Sequence, residues 1–168
     1  KGHTVLFRAL ARLKDQPWRL RCAGSADFDP VTAAELSILV DELGLSARIE
    51  FLGQLDEAAL ALEYRRADGF VLPSHHEGYG MALAEALAHG LPIISTTAGA
   101  IPDTVPADAG LLVPPGAEAA LAEALARVMT EPELRQRLAA GARAARQTLP
   151  DWPTTCAHFA TALAAIPA

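Results

Sequence analysis

Apolar positions recur along the chain in two rhythms. Over residues 4–15, Val5, Leu6, Ala9, Leu10 and Leu13 share one helical face, with Arg8, Arg12 and Lys14 opposite, and Gln16-Pro17 ends the helix. Residues 18–23 alternate like a strand and stop at Gly24-Ser25. Asp29-Pro30 opens a helix to about residue 43, with Pro30 in the first turn, where its missing N–H costs nothing, and Gly44 past the end. Residues 48–52 read as a short strand with Ile49 and Phe51 inward, closed by Gly53. Asp56 caps a helix to about residue 66. Residues 69–73 read as a buried strand, 80–89 as a helix with Gly90 as its C-cap, and 91–95 as another strand. Residues 98–107 read as a Pro/Gly loop and 110–113 as the last strand. Helices follow over 118–129, 133–147 and 152–166, separated by Pro132 and Pro150.

Strands alternating with helices predict an α/β fold with a largely parallel sheet, in one domain without repeats or a linker. Ligands of such sheets sit beyond the carboxyl ends of the strands. The loops that matter are therefore those after Ala23, Leu52, Leu72 and Ser95.

Composition narrows the function classes. A net charge of -6 argues against a nucleic-acid partner. Hydrophobic residues make up 51% of the chain, enough for a core, while aromatics are only 5%, so core volume comes from Leu, Val and Ile. No apolar run approaches the roughly 20 residues of a membrane span, and the first residues have no signal-peptide character. Cys22 and Cys156 have no metal-like spacing and read as buried free thiols rather than a disulfide in a cytoplasmic protein.

The chemistry concentrates after the strand that ends at Leu72, in Pro73-Ser74-His75-His76-Glu77-Gly78-Tyr79-Gly80-Met81-Ala82-Leu83-Ala84-Glu85. Two glycines before a helix start leave backbone N–H groups open to an incoming group, and exposed amides at a helix N-terminus bind phosphate. Glu77 lies at the mouth of that nest. Glu85 lies on an apolar helix face and needs a hydroxyl, amide or arginine partner. In one continuous helix the two carboxylates would stand about 12 Å apart along the axis, a span for a ligand with a polar group at each end and a diphosphate between. The plainer reading has Glu77 capping the helix and Glu85 paired with an arginine. His75-His76-Glu77 looks like a metal cluster, but adjacent histidines point apart and no third ligand is placed, so no metal is expected.

These residues carry a resemblance. E-G-Y-G-M-A-L-A-E from Glu77 to Glu85 has seven residues between the glutamates. With A-L-A-H-G-L-P-I-I-S-T, G-L-L-V-P-P-G, R-I-E-F-L-G and the initial K-G-H, it resembles the C-terminal, nucleotide-sugar-binding half of retaining GT-B glycosyltransferases of the large family-4 group. The resemblance covers nearly the whole chain, residues 1–168. It implies a Rossmann-like doubly wound parallel sheet and retaining transfer of a hexosyl group from a nucleotide-diphosphate sugar to an acceptor, in polysaccharide or glycolipid biosynthesis. It implies roles by position. Glu77 would meet hydroxyls of the donor sugar near the anomeric centre, as the catalytic group that orients and stabilises. Amides of Gly78, Tyr79, Gly80, Met81 and Ala82 would hold sugar and diphosphate. Glu85 would take the ribose hydroxyls and Lys1 the diphosphate. Arg48 and Ile49 would lie at the base, and Gly24 would let the nucleotide pass close to the backbone.

The sequence departs from that family in two places. Gly99-Ala100-Ile101-Pro102-Asp103 stands where the family often has G-G-x-P-E. The family's first strand, which precedes the lysine, and its N-terminal domain with the acceptor site are absent from the chain. That strand would lie between the strands ending at Ala23 and Leu72. The isolated chain is therefore expected to be inactive, and its partners are the donor and that second domain, through which the parent could touch a membrane peripherally. Two other readings stay open: a non-catalytic nucleotide-sugar-binding module, and a GT-B relative such as a nucleotide-sugar epimerase.

Overall fold

The computed structural model describes residues 1–148 and 152–165. In chain order the elements are α1 (His3–Ala11), β1 (Leu20–Ala23), α2 (Pro30–Glu42), β2 (Ile49–Gly53), α3 (Glu57–Arg66), β3 (Phe70–Leu72), α4 (Met81–Ala88), β4 (Ile93–Thr96), α5 (Ile101–Thr104), β5 (Gly110–Val113), α6 (Glu118–Thr130), α7 (Pro132–Ala145) and α8 (Trp152–Ala164), with a 3-10 turn at Arg146–Thr148. All strand pairs are parallel, as the strand–helix alternation requires. The described helices include none long and apolar enough to cross a membrane.

The strands form two sheets, β1-β2 and β3-β4-β5. Among the described residues β1 pairs only with β2, and β3 only with β4, so each keeps a free edge at the break. One apolar core nevertheless runs under both pieces. Leu20 and Cys22 of β1, Val71 of β3 and Ile94 of β4 meet Leu6, Phe7, Ala9 and Leu10 of α1 and Leu121 and Leu125 of α6. Burying each large apolar side chain contributes about 1.5–3 kcal/mol, so α1 works as a clamp across the break. Its start is fixed at Gly2, whose φ is 78°; a Cβ there would come 2.1 Å from the Pro73 carbonyl oxygen. A second core lies on the opposite face, with Leu83, Leu87, Ile93, Ile101 and Ala142 at its centre.

Asp29 and Asp56 act as N-caps, accepting from the amides of Thr32 at 3.0 Å and Ala59 at 2.8 Å. Several details depart from expectation. β3 is half-buried along its length whereas β4 is fully buried, because β3 lacks a neighbour on one side. Phe51 is 47% exposed, its ring set edge-on to that of Phe7, because β2 is an edge strand. Phe7 belongs to the buried face of α1. The stretch 98–107 contains the short helix α5. Both cysteines are free, but Cys156 is exposed. Burial pushes the Cys22 thiol up to about 11. The expected helix end at Ile166 and the separator Pro150 lie outside the described residues, as does any packing by the Trp152 side chain.

Candidate donor site

α1 starts against the end of β3 and runs away from it, so β1 begins at the far end and returns. Ala23, Gly53, Leu72 and Thr96 therefore finish on one edge, the edge where parallel sheets of this kind take ligands. Gly24 lies there at the end of β1, donating its amide to the Gly53 carbonyl at 2.9 Å, with open space where a Cβ would stand.

The loop after β3 is held from below and from the side. The Ser95 hydroxyl donates to the Leu72 carbonyl at 2.6 Å, and the Thr96 hydroxyl to the Ser74 carbonyl at 2.6 Å. Ser74 is wholly buried and donates its own hydroxyl to Glu77 Oε1 at 2.8 Å. The Lys1 ammonium donates to the same oxygen. Glu77 is only 8% exposed, while His75 and His76 on the same loop are exposed. Oε2 of Glu77 has no partner among the described residues and is reached by solvent. Burial works to raise the Glu77 pKa, but the hydrogen bonds from Lys1 and Ser74 and the Lys1 charge prevail and hold it below the ordinary value. The result is a charged carboxylate with one oxygen fixed and one available.

The main chain beside it is seated just as firmly. The Ala100 amide donates to the Glu77 carbonyl at 3.0 Å, and the Thr104 hydroxyl to the Tyr79 carbonyl at 2.8 Å. Gly99, with φ 54°, is pressed so close that a Cβ would stand 2.2 Å from the Glu77 carbonyl oxygen. Gly80 is the N-cap of α4 and makes no side-chain cap bond, so the first amides of α4, those of Met81 and Ala82, face the loop without intrahelical acceptors. Gly78 has open space around it, and Tyr79 and Met81 are exposed. Glu77 thus does not cap α4. Glu85, farther along α4, has no arginine partner among the described residues; its Oε2 accepts from the Tyr64 hydroxyl at 3.1 Å.

The structure brings together Lys1, Glu77 and the Gly78–Ala82 backbone, with Glu85 on the helix that follows. It does not bring Arg48 and Ile49 to them. Arg48 precedes β2 and lies at the opposite end of the strands: its Nη1 donates to the Gln16 carbonyl at 2.8 Å, and its guanidinium stacks 5.0 Å from the Trp18 ring centroid. Ile49 is buried in the core. Both expectations are corrected, because in a parallel strand the ligand edge is the end of the segment, here Leu52 and Gly53. Ser74, Thr96, Thr104 and Tyr64 were not singled out in the sequence. Ser74, within the quoted loop and three residues before the glutamate, carried the only local signal.

Residues 1–145 match the family described as glycosyl transferases group 1. A D-inositol 3-phosphate glycosyltransferase of Xylanimonas cellulosilytica is 36% identical over 146 residues, covering 86% of this chain and 35% of that protein. The structure of HepE from Anabaena in complex with UDP and glucose superposes with a TM-score of 0.87 at 25% identity, over 99% of this chain and 45% of that one. The C-terminal domain of a group 1 family protein from Francisella tularensis gives a TM-score of 0.80 at 30% identity, over 89% of this chain and 79% of that one. The chain spans about a third of the length of the first of these relatives.

Proposed function

The chain belongs to the glycosyl transferases group 1 family, with the Rossmann-like half of a GT-B fold, and on that premise we propose that it binds a nucleotide-diphosphate sugar and presents it for retaining transfer of a hexosyl group to an acceptor. The observation that carries this reading is the convergence of the Lys1 ammonium and the buried Ser74 hydroxyl on Glu77 Oε1, beside the amides that open α4. A carboxylate held in this way meets sugar hydroxyls through Oε2 and stabilises positive charge as it develops at the anomeric carbon. The amides of Gly78–Ala82 and the Lys1 ammonium take the negative charge that grows on the departing diphosphate. The acceptor oxygen forms its bond on the face the diphosphate leaves. Glu85 accepts the ribose hydroxyls.

The acceptor and the opposite wall of the cleft belong to a second domain. Closing that cleft would exclude water and orient the acceptor, so the 168-residue chain is expected to bind donor without transferring sugar.

The test compares Glu77→Gln with Glu85→Gln in the full enzyme. Glu77→Gln is expected to lower kcat more than it raises the donor Kd, because its contact strengthens as charge develops. Glu85→Gln is expected to weaken donor binding with little change in kcat. The reverse pattern overturns the assignment of the two glutamates.

A further inference from the structure

Tyr64 is the single buried residue of α3, 8% exposed. Its ring stacks on His89, with centroids 4.7 Å apart and planes 16° from parallel, and meets the Phe70 ring at 6.0 Å. These contacts join α3 to the end of α4 and to β3, so the phenol oxygen is held by three elements. It lies 3.1 Å from Glu85 Oε2. A carboxylate can only accept, so the phenol donates. Among the described residues Glu85 has no other side-chain partner and no ion pair.

Resting on the reading of Glu85 as the acceptor for a ribose diol, we propose that Tyr64 is its positioning residue: the fixed phenol sets the Glu85 carboxylate before the nucleotide arrives, and through it determines the preference for a 2′,3′-diol. Two physical points support this. A glutamate on an exposed helix face otherwise samples many rotamers, and ordering it on binding weakens affinity. The phenol also anchors the carboxylate without neutralising it. An arginine in the same place would cancel the charge that draws hydroxyl protons and would welcome a phosphate on the ribose instead. Burial, then the Glu85 charge and hydrogen bond, push the Tyr64 pKa far upward, so the donor proton stays in place.

The experiment is calorimetric titration of the wild type, Tyr64→Phe, Glu85→Ala and the double variant with UDP, GDP and ADP, and with their 2′,3′-dideoxy counterparts. Tyr64→Phe keeps the ring and its stacking, and removes only the donor. It is expected to weaken the preferred diphosphate on the order of threefold to tenfold, to leave the dideoxy form unaffected, and to cause no further loss in the Glu85→Ala background. Loss with Glu85→Ala but none with Tyr64→Phe overturns the positioning role and leaves the Glu85 reading intact. Equal losses from Tyr64→Phe on both backgrounds, or with both ligand forms, mean a general structural role and also overturn it. Binding indifferent to Glu85→Ala, or no binding of any of the three diphosphates to the wild type, overturns the Glu85 reading and the proposal with it.

Discussion

Two of the carboxylate–cation clusters among the described residues, one beside each sheet, are built differently. Beside β3, Lys1 reaches a glutamate that is almost wholly buried, fixed from a second side by a buried serine and from below by the Thr96 hydroxyl through the Ser74 carbonyl. Beside β1 and β2, Arg21 spans Glu50, which is exposed, and Glu63, which is half-buried; both cations stand largely in solvent, so the clusters differ in their carboxylates. Coulomb attraction alone would rank the second cluster higher, since one guanidinium serves two carboxylates. Shelter reverses that order: a hydrogen bond to the enclosed Oε1 meets little competing water, while the exposed Arg21–Glu50 pair largely exchanges solvent for solute. The candidate site lies where the fold can hold a charge still.

The hardest test of that contrast removes the seat of the loop rather than its charges. Gly99→Ala places a methyl group 2.2 Å from the Glu77 carbonyl oxygen, at a backbone conformation unfavourable to alanine. The obstacle is main chain, which cannot swing aside. The expected loss is about 3 kcal/mol or more in urea unfolding, together with loss of nucleotide binding. A change under about 0.5 kcal/mol would show that the loop yields and that the two halves are equally soft.

A smaller effect comes from the buried hydroxyl. Ser74→Ala takes one donor from a buried, charged acceptor and is expected to cost about 1.5–3 kcal/mol at neutral pH. The pH dependence sharpens it. Glu77 titrates lower in the folded chain than unfolded, so its contribution is complete above the ordinary value of 4.5 and fades as pH falls through the lower folded value. Removing Ser74 or replacing Lys1 with methionine raises the folded pKa and shrinks the acid-sensitive part. Unfolding curves from about pH 7 down to about pH 3 should show the wild type losing more stability than either variant. Parallel curves would mean that Glu77 is not held by these donors.

How much of this was legible follows from distance along the chain. The strands and most helices came from local periodicity, and the edge expected to take a ligand from the rule that parallel sheets bind at carboxyl ends. The loop from Pro73 to Glu85 was legible because its glycines and glutamates are contiguous. Tyr64 was not, since its partner lies 21 residues away across a crossover. Thr104 reaches back 25 residues to Tyr79 from a short helix hidden in a Pro/Gly-rich stretch. Arg48 was placed wrongly because a motif such as R-I-E-F-L-G does not say which of its ends faces the ligand; strand direction does. Phe51 and β3 misled for a common reason. Alternation and apolar content report which side chains could be buried, and only the neighbouring strands decide whether anything covers them.

The smallest expected effect lies in the second cluster. Arg21 donates through Nε to Glu63 at 2.5 Å and through Nη1 to Glu50 at 2.8 Å, and the Nη2–Glu63 contact is 3.2 Å. The geometry is good, yet the guanidinium and Glu50 are both largely in water. Ordering a long side chain offsets most of the attraction, and the two carboxylates left behind by Arg21→Ala can turn outward and hydrate. The expected loss is at most about 1 kcal/mol. It should shrink further in urea unfolding at about 1 M salt compared with about 0.1 M, because charges in solvent are screened over a few ångströms at the higher concentration. Salt should hardly alter the Ser74→Ala loss, since Glu77 is buried. A cost above about 2 kcal/mol at Arg21, insensitive to salt, would break the comparison, because β1 and β2 would then be held by a charge cluster as consequential as the one in the loop after β3.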